Sequence, residues 1–416
     1  GDSGSVDSGS TGSVAIDSAA AGSVAVDSVG PEAAATDRTA VTSDPSPDSD
    51  AITPDLRASN GTVEVVVRFA GDASPGADSG GGVGSSERSP TLSADDLKTN
   101  AASAQADFES FAERKPGVTV EQSFWLANAM LVTVDTESAA VDRLLDVRGV
   151  ERVHENFEVK LDSATTTSGG DGSQAIGAAG PQPAVGPGTV STTATGTNAT
   201  YGVEMVRAPE VWEEFGTRGE GATVAVLDTG IDPDHPDLNV SGWAEIDKNG
   251  DVIQDDDVPY DLNGHGTHVA GTVAGGNTSG TAIGVAPEAK IHAIKVFPED
   301  SRSASFTRVI GGMEAALNES VVGDRADILQ MSLGADGYHT QMIEPVRNAN
   351  NAGAIVIASS GNKGENSSSS PANVYDSLAV GAVDTKKNVA SFSSGEDITT
   401  DDAWVGDPPN EWPEQY

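Results

Sequence analysis

The sequence predicts an α/β domain with a doubly wound parallel sheet over residues 201–416, preceded by a small α+β domain over residues 62–161. Three observations predict this. Residues 223–227, 328–333, 354–358 and 378–383 are continuous apolar runs, as in strands buried on both faces of a parallel sheet. Helical patterns alternate with these runs at 265–274, at 306–319 with Ile310, Met313 and Leu317 on one side, and at 341–351 with Gly353 just beyond. Upstream, the elements follow the order β-α-β-β-α-β, the split βαβ or ferredoxin-like pattern.

In the first domain, residues 63–69 form an apolar, β-branched strand. Leu97, Ala101, Ala104, Phe108 and Phe111 then recur at spacings of three and four, one face of a helix that Pro116 and Gly117 end. Residues 118–134 read as two strands around Ala127 and Asn128. Val141, Leu144 and Leu145 mark a short helix stopped by Gly149, and 150–161 make a last strand. Residues 1–61 are rich in Gly, Ser, Ala and Asp, with GSVAIDS at Gly12 imperfectly repeated as GSVAVDS at Gly22. Such composition buries too little apolar area to offset ordering entropy, so disorder is expected there. Residues 162–200, nearly free of charge, predict a flexible linker between the domains.

Among 416 residues, 64 are acidic and 23 basic, a formal net charge of -41. Basic patches cannot dominate such a surface, which argues against nucleic acid as a partner. No run of 18 apolar residues is present, so no membrane span is expected. The absence of cysteine excludes disulfides, thiolate catalysis and Cys-ligated metals. Lysine is scarce, at nine, and Asp outnumbers Glu, 39 to 25. Like charges at this density repel at low salt and are screened at molar salt, where the Debye length is about 3 Å. This points to a protein of a salt-rich environment. The alternative, an acidic tail that inflates the count, fits less well because acids also fill the second half. The first residues lack a Met, a basic segment and an apolar core, so no signal peptide is expected in them.

Chemistry concentrates in three places. Asp228 ends the run TVAVLD, and catalytic groups of open α/β sheets collect at the carboxyl ends of strands. An Asp in an ordinary Asx-turn is the alternative. In NGHGTHVAGTVAG, Gly264 and Gly266 flank His265, and the positive end of a helix dipole there disfavours its protonation. A neutral imidazole held by a carboxylate can serve as general base. His265 and His268 could instead be a metal pair or structural histidines; His268 reads as a packing residue. In IVIASSGN, Asn362 follows a buried run, where its amide can donate to charge developing on a carbonyl oxygen. An αL turn beside Gly361 is the alternative reading of that Asn.

Taken together, AVLDTGID, HGTHVAGTVAG and ASSGN, in that order, resemble the subtilisin-like serine proteases (subtilases) over about 201–394. HPDL at His235, GVAP at Gly284, MSLG at Met331 and ASFSS at Ala390 add to the match. The resemblance implies a serine endopeptidase acting on protein or peptide substrates. It implies that Asp228 supports the imidazolium, that His265 takes the nucleophile's proton, and that Asn362 donates to the oxyanion. Ser332, Leu333 and Gly334 match the segment that pairs with substrate as a β-strand. Asp237 matches a calcium ligand, with backbone ligands expected from the loop between Gly276 and Ile283. An EF-hand at 247–258 is rejected, because Val252 and Val258 stand where Gly and Glu are required. The 62–161 domain is similar to the propeptide of secreted subtilases, a ferredoxin-like chaperone and inhibitor whose last strand leads into the cleft. Its own propeptide domain is therefore an expected partner, and a secreted location is implied.

The family's nucleophile lies in a GTSMA-type segment after the ASFSS strand, and these 416 residues contain none. The subtilisin-like domain is accordingly expected to be incomplete at its C-terminus, truncated before the serine. A protein that lost the nucleophile and kept binding or inhibiting is the alternative; a reading frame continuing past Tyr416 into such a segment separates the two. On either reading the groove beside His265 is expected to be open.

Overall fold

The computed structural model describes residues 51–70, 92–162, 198–253, 258–299, 301–400, 413, 415 and 416. The acidic repeat and nearly all of the linker lie outside the described residues.

The first part contains α1 (Pro54–Ala58), β1 (Thr62–Phe69), α2 (Ala94–Arg114), β2 (Val118–Phe124), β3 (Ala129–Asp135), a 3₁₀ helix (Val141–Asp146), β4 (Val150–Glu155) and β5 (Glu158–Leu161). Strands β2-β3-β1-β4 make one sheet with antiparallel neighbours throughout. A capping box starts α2: Ser93 Oγ accepts the Asp96 N–H while Asp96 Oδ2 accepts the Ser93 N–H. Its buried face, Leu97, Ala101, Gln105 and Phe108, is the one the spacing predicted, with Gln105 in place of Ala104. Phe108 meets Phe69 edge to face at 5.6 Å. The second expected helix is a 3₁₀ turn. The expected last strand breaks at Asn156–Phe157 into β4, which stays in this sheet, and β5, which leaves it.

The second part contains α3 (Tyr201–Met205), α4 (Ala208–Phe215), β6 (Thr223–Asp228), β7 (Val240–Ile246), β8 (Val252–Ile253), α5 (His265–Ala274), β9 (Lys290–Lys295), β10 (Ser303–Ser305), α6 (Phe306–Ala316), α7 (Glu319–Val322), β11 (Ile328–Met331), β12 (Leu333–Asp336), a 3₁₀ turn (Thr340–Met342), α8 (Ile343–Asn351), β13 (Ile355–Ser359), β14 (Ser369–Ser370) and β15 (Leu378–Val380). The main sheet runs β15-β13-β11-β6-β9-β7-β8, parallel except at β8. Side chains alternate across it. Val224 and Val226 pack with Ala270 and Ala274 of α5 on one face. Ala225 and Leu227 pack with Ile310 and Met313 of α6 on the other. Helices therefore cover both faces, as in a doubly wound α/β sheet.

Strands β7 and β8 of this sheet were not expected, the 328–333 run divides at Ser332 into β11 and β12, and two further strands depart from the sequence reading. The run KIHAIK forms β9 although Lys290, His292 and Lys295 interrupt its apolar character. The 378–383 run, expected to be buried, forms the edge strand β15 with Leu378 and Val380 half exposed. Ile355 on neighbouring β13 is exposed with it.

The two parts share one apolar cluster, in which Phe124, Leu126 and Leu131 join Phe306, Ile310 and Val346. Leu126 is clamped on both backbone groups. Its N–H donates to Glu314 Oε1 at 2.7 Å and its C=O accepts from Asn348 Nδ2 at 2.8 Å. Arg68 forms an ion pair with Glu344 and donates to Gln341 O at 3.0 Å. Strand β5 completes the join. It lies antiparallel between β10 and β12, with Leu161 opposite Leu333 and Lys160 opposite Gly334.

Candidate active site

The parallel register of β6, β11 and β13 brings their carboxyl ends into a row, which sets Asp228, Ser332 and Ser359 along one edge of the sheet. Asp228 is fully buried. One carboxylate oxygen accepts the Thr229 N–H at 2.7 Å. His265 Nδ1 lies 2.8 Å and 2.9 Å from the two oxygens. A carboxylate only accepts, so Nδ1 carries the proton and the Nε2 lone pair faces away from Asp228. Nε2 has no hydrogen-bond partner among the described residues.

The approach that makes this contact depends on small residues. A Cβ on Gly266 would sit 2.1 Å from Gly230 O, so only glycine lets the start of α5 reach the β6 turn. Two further side chains hold the turn, and the sequence reading passed over both. Asp261 takes the Thr229 hydroxyl at 3.0 Å, the Gly264 N–H at 2.9 Å, and the Thr267 N–H and hydroxyl at 2.9 Å and 2.7 Å. An Asp just ahead of an apolar helical pattern was the signal available for it. Lys295 is buried, donates to Thr229 O at 2.7 Å and lies 5.0 Å from the Tyr260 ring centroid.

Burial of the His265 ring disfavours its charge, but the hydrogen bond and charge of Asp228 outweigh it, and the pKa is raised above 6.5. The helix-dipole argument alone pointed the other way; the nearby full charge wins over the half charge of a helix end. His268 is exposed on α5, not packed as expected. Asn362 is half-buried just beyond β13, and its side-chain amide makes no hydrogen bond among the described residues.

Residues 332–334 line β5. Ser332 O accepts the Asp162 N–H at 3.3 Å, and the register puts Leu333 and Gly334 opposite Leu161 and Lys160. A Cβ on Gly334 would meet Ser369 Oγ at 2.0 Å, which keeps this wall flat. The opposite wall contributes Arg302 O, which accepts the Leu161 N–H at 3.0 Å. The groove expected to be open is thus filled by β5. Ser359 donates to Asp162. Ser360 donates to Ser394 O at 3.0 Å, and Ser394 Oγ accepts from the Lys363 N–H at 3.0 Å. These serines are engaged with other partners.

At Asp237, burial opposes ionisation, but donors from Ser279 and Thr278 outweigh it and hold the carboxyl below its ordinary range. Asn198 reaches the same loop, donating to Gly280 O at 2.7 Å and Thr281 Oγ1 at 2.8 Å, while its Oδ1 is buried without a partner. Among the described residues, no three His, Asp or Glu side chains gather as metal ligands. One carboxylate with neutral oxygens fits a calcium donor set and no softer metal.

Comparison with known proteins identifies the family. The subtilase family model matches residues 219–404. The chain is 36% identical over 201 residues to the major intracellular serine protease of Bacillus subtilis (strain 168), covering 46% of this chain and 60% of that protein. It is 40% identical over 193 residues to subtilisin BL of Lederbergia lenta, covering 46% and 66%. It is 38% identical over 199 residues to subtilisin of Bacillus pumilus, covering 47% and 68%. The chain belongs to the subtilase family. It spans 60% to 68% of the length of these curated relatives.

Proposed function

We propose that the chain is a serine-type endopeptidase of this family, carrying the Asp and His of an Asp-His-Ser triad, with its own N-terminal domain docked as propeptide and inhibitor. The observation that carries the reading is the buried Asp228 carboxylate holding His265 Nδ1–H. In that geometry Nε2 is the base that takes a serine proton and returns it to the leaving amine. Asp228 keeps the tautomer and stabilises the imidazolium. Asn362, with no other partner, donates to the oxyanion. A peptide substrate pairs with Ser332, Leu333 and Gly334 on one side and β10 on the other, as β5 does.

The strand order of residues 62–155 supports a ferredoxin-like propeptide, and β5 in the groove supports inhibition by occupation. The charge of -41 supports a salt-rich setting, and the propeptide supports secretion. No described helix is long and apolar enough to cross a membrane. Calcium, held by Asp237 and Asn198, would tie the 276–283 loop to the segment before α3. A rise in melting temperature on adding calcium, lost in Asp237→Asn, checks this.

The test of function compares the 416-residue chain with one continued through a GTSMA-type segment. The longer chain hydrolyses casein, and His265→Ala removes the activity. For subtilisin, loss of the His costs about 10⁶ in kcat and loss of the Asp about 10⁴. Activity that survives His265→Ala contradicts the reading.

A further inference from the structure

Strand β5 alternates as a half-buried strand should: Val159 and Leu161 point inward, Glu158 and Lys160 outward. The next side chain is an aspartate, and it does not run free into solvent. Its N–H continues the ladder to Ser332 O, and its carboxylate accepts from Ser359 Oγ at the carboxyl end of β13. Ser359 stands in the same row of strand ends as Asp228, and Asp162 lies close enough to His265 to feel its charge. A half-buried carboxylate is costly unless a donor meets it. Asp336, whose like charge acts on Asp162, is itself paired with Lys363 Nζ at 2.5 Å.

We propose that Ser359 is a specificity-determining residue that selects a short carboxylate side chain immediately before the bond presented to His265, with Asp162 as this chain's own occupant of that position. The proposal rests on the peptidase reading above and narrows its substrates to peptides with aspartate at that position. The donor fixes the chemistry. Ser359 Oγ–H reaches an acceptor one methylene from the backbone, which an apolar side chain lacks.

Amide hydrogen exchange of the full 416-residue chain tests it, read at the Leu161 and Asp162 amides, with the Val226 amide of β6 as the control for folding. In the unaltered chain both β5 amides are protected. Ser359→Ala lowers their protection about tenfold, as loss of a hydrogen bond to a charged group does. Ser359→Thr, which keeps the hydroxyl, retains it. Asp162→Ala and Asp162→Phe lose protection similarly, and Ser359→Ala adds nothing further in the Asp162→Ala background. Full protection in Ser359→Ala or in Asp162→Phe, with Val226 protected, overturns the specificity proposal and leaves the peptidase reading standing. Free exchange at Leu161 and Asp162 in the unaltered chain shows instead that β5 does not occupy the groove, and the reading beneath the proposal fails.

Discussion

Glu314 on α6 accepts the Leu126 N–H, from the turn between β2 and β3, at 2.7 Å from a half-buried position. Burial pushes its pKa up to about 8, against the donors at Leu126 and Trp125 and the charge of Lys98. A carboxyl whose folded pKa lies above its unfolded value adds stability below about 4.5 that is lost as pH rises through about 8. Packing of the β2–β3 turn against α6 should therefore weaken across that window. Asp162 and Glu344, both also raised by burial, act in the same direction. Melting temperature measured from pH 4.5 to 8.5 should fall, and Glu314→Gln should flatten part of the slope. An unchanged slope in that variant removes Glu314 as a cause.

The Arg68–Glu344 pair is mostly buried, with side-chain exposures of 12% and 20%. Removing one partner of such a pair leaves a charge uncompensated and costs about 3 kcal/mol. Arg68→Ala should show that loss in denaturant titration. Arg68→Met with Glu344→Leu should recover most of it, because an apolar pair removes both desolvation costs.

Stability should rise from tenth-molar to multimolar NaCl, because screening removes repulsion among charges that sum to -41. A melting temperature that is flat or falling over that range counts against the salt-rich setting.

The 416-residue chain should not react with a fluorophosphonate probe, since Nε2 of His265 has no serine partner among the described residues and no GTSMA-type segment is present. Labelling at one serine, lost in His265→Ala, shows that a nucleophile lies elsewhere in these residues.

The site was legible where chemistry follows chain order. Asp228 ends an apolar strand and His265 opens a glycine-flanked helix, and both read locally; the segment from Ser332 to Gly334 was implied by the family resemblance alone. What escaped is what needs the third dimension. Lys295 breaks an apolar run, yet it is buried because Thr229 O and the Tyr260 ring receive its ammonium. The alternation of Val159 and Leu161 looks the same whether β5 extends its own sheet or fills the groove; only β10 and β12 decide. Ser359 and Asp162 are 197 residues apart, so no local pattern joins them. The exposure of β15 is a matter of which helices cover an edge, and a run of Leu, Ala and Val cannot report that.

The central claim is that Asp228 holds His265 as a base, and the ring titration of His265 followed by NMR tests it most directly. The account predicts a midpoint above 6.5 in the unaltered chain, because the Asp228 hydrogen bond and charge outweigh burial of the ring. In Asp228→Asn burial of the ring is left unopposed by that charge, and the midpoint should drop below 6.5. A midpoint that is the same in both proteins would contradict the account, since it would mean that Asp228 does not set the protonation of His265.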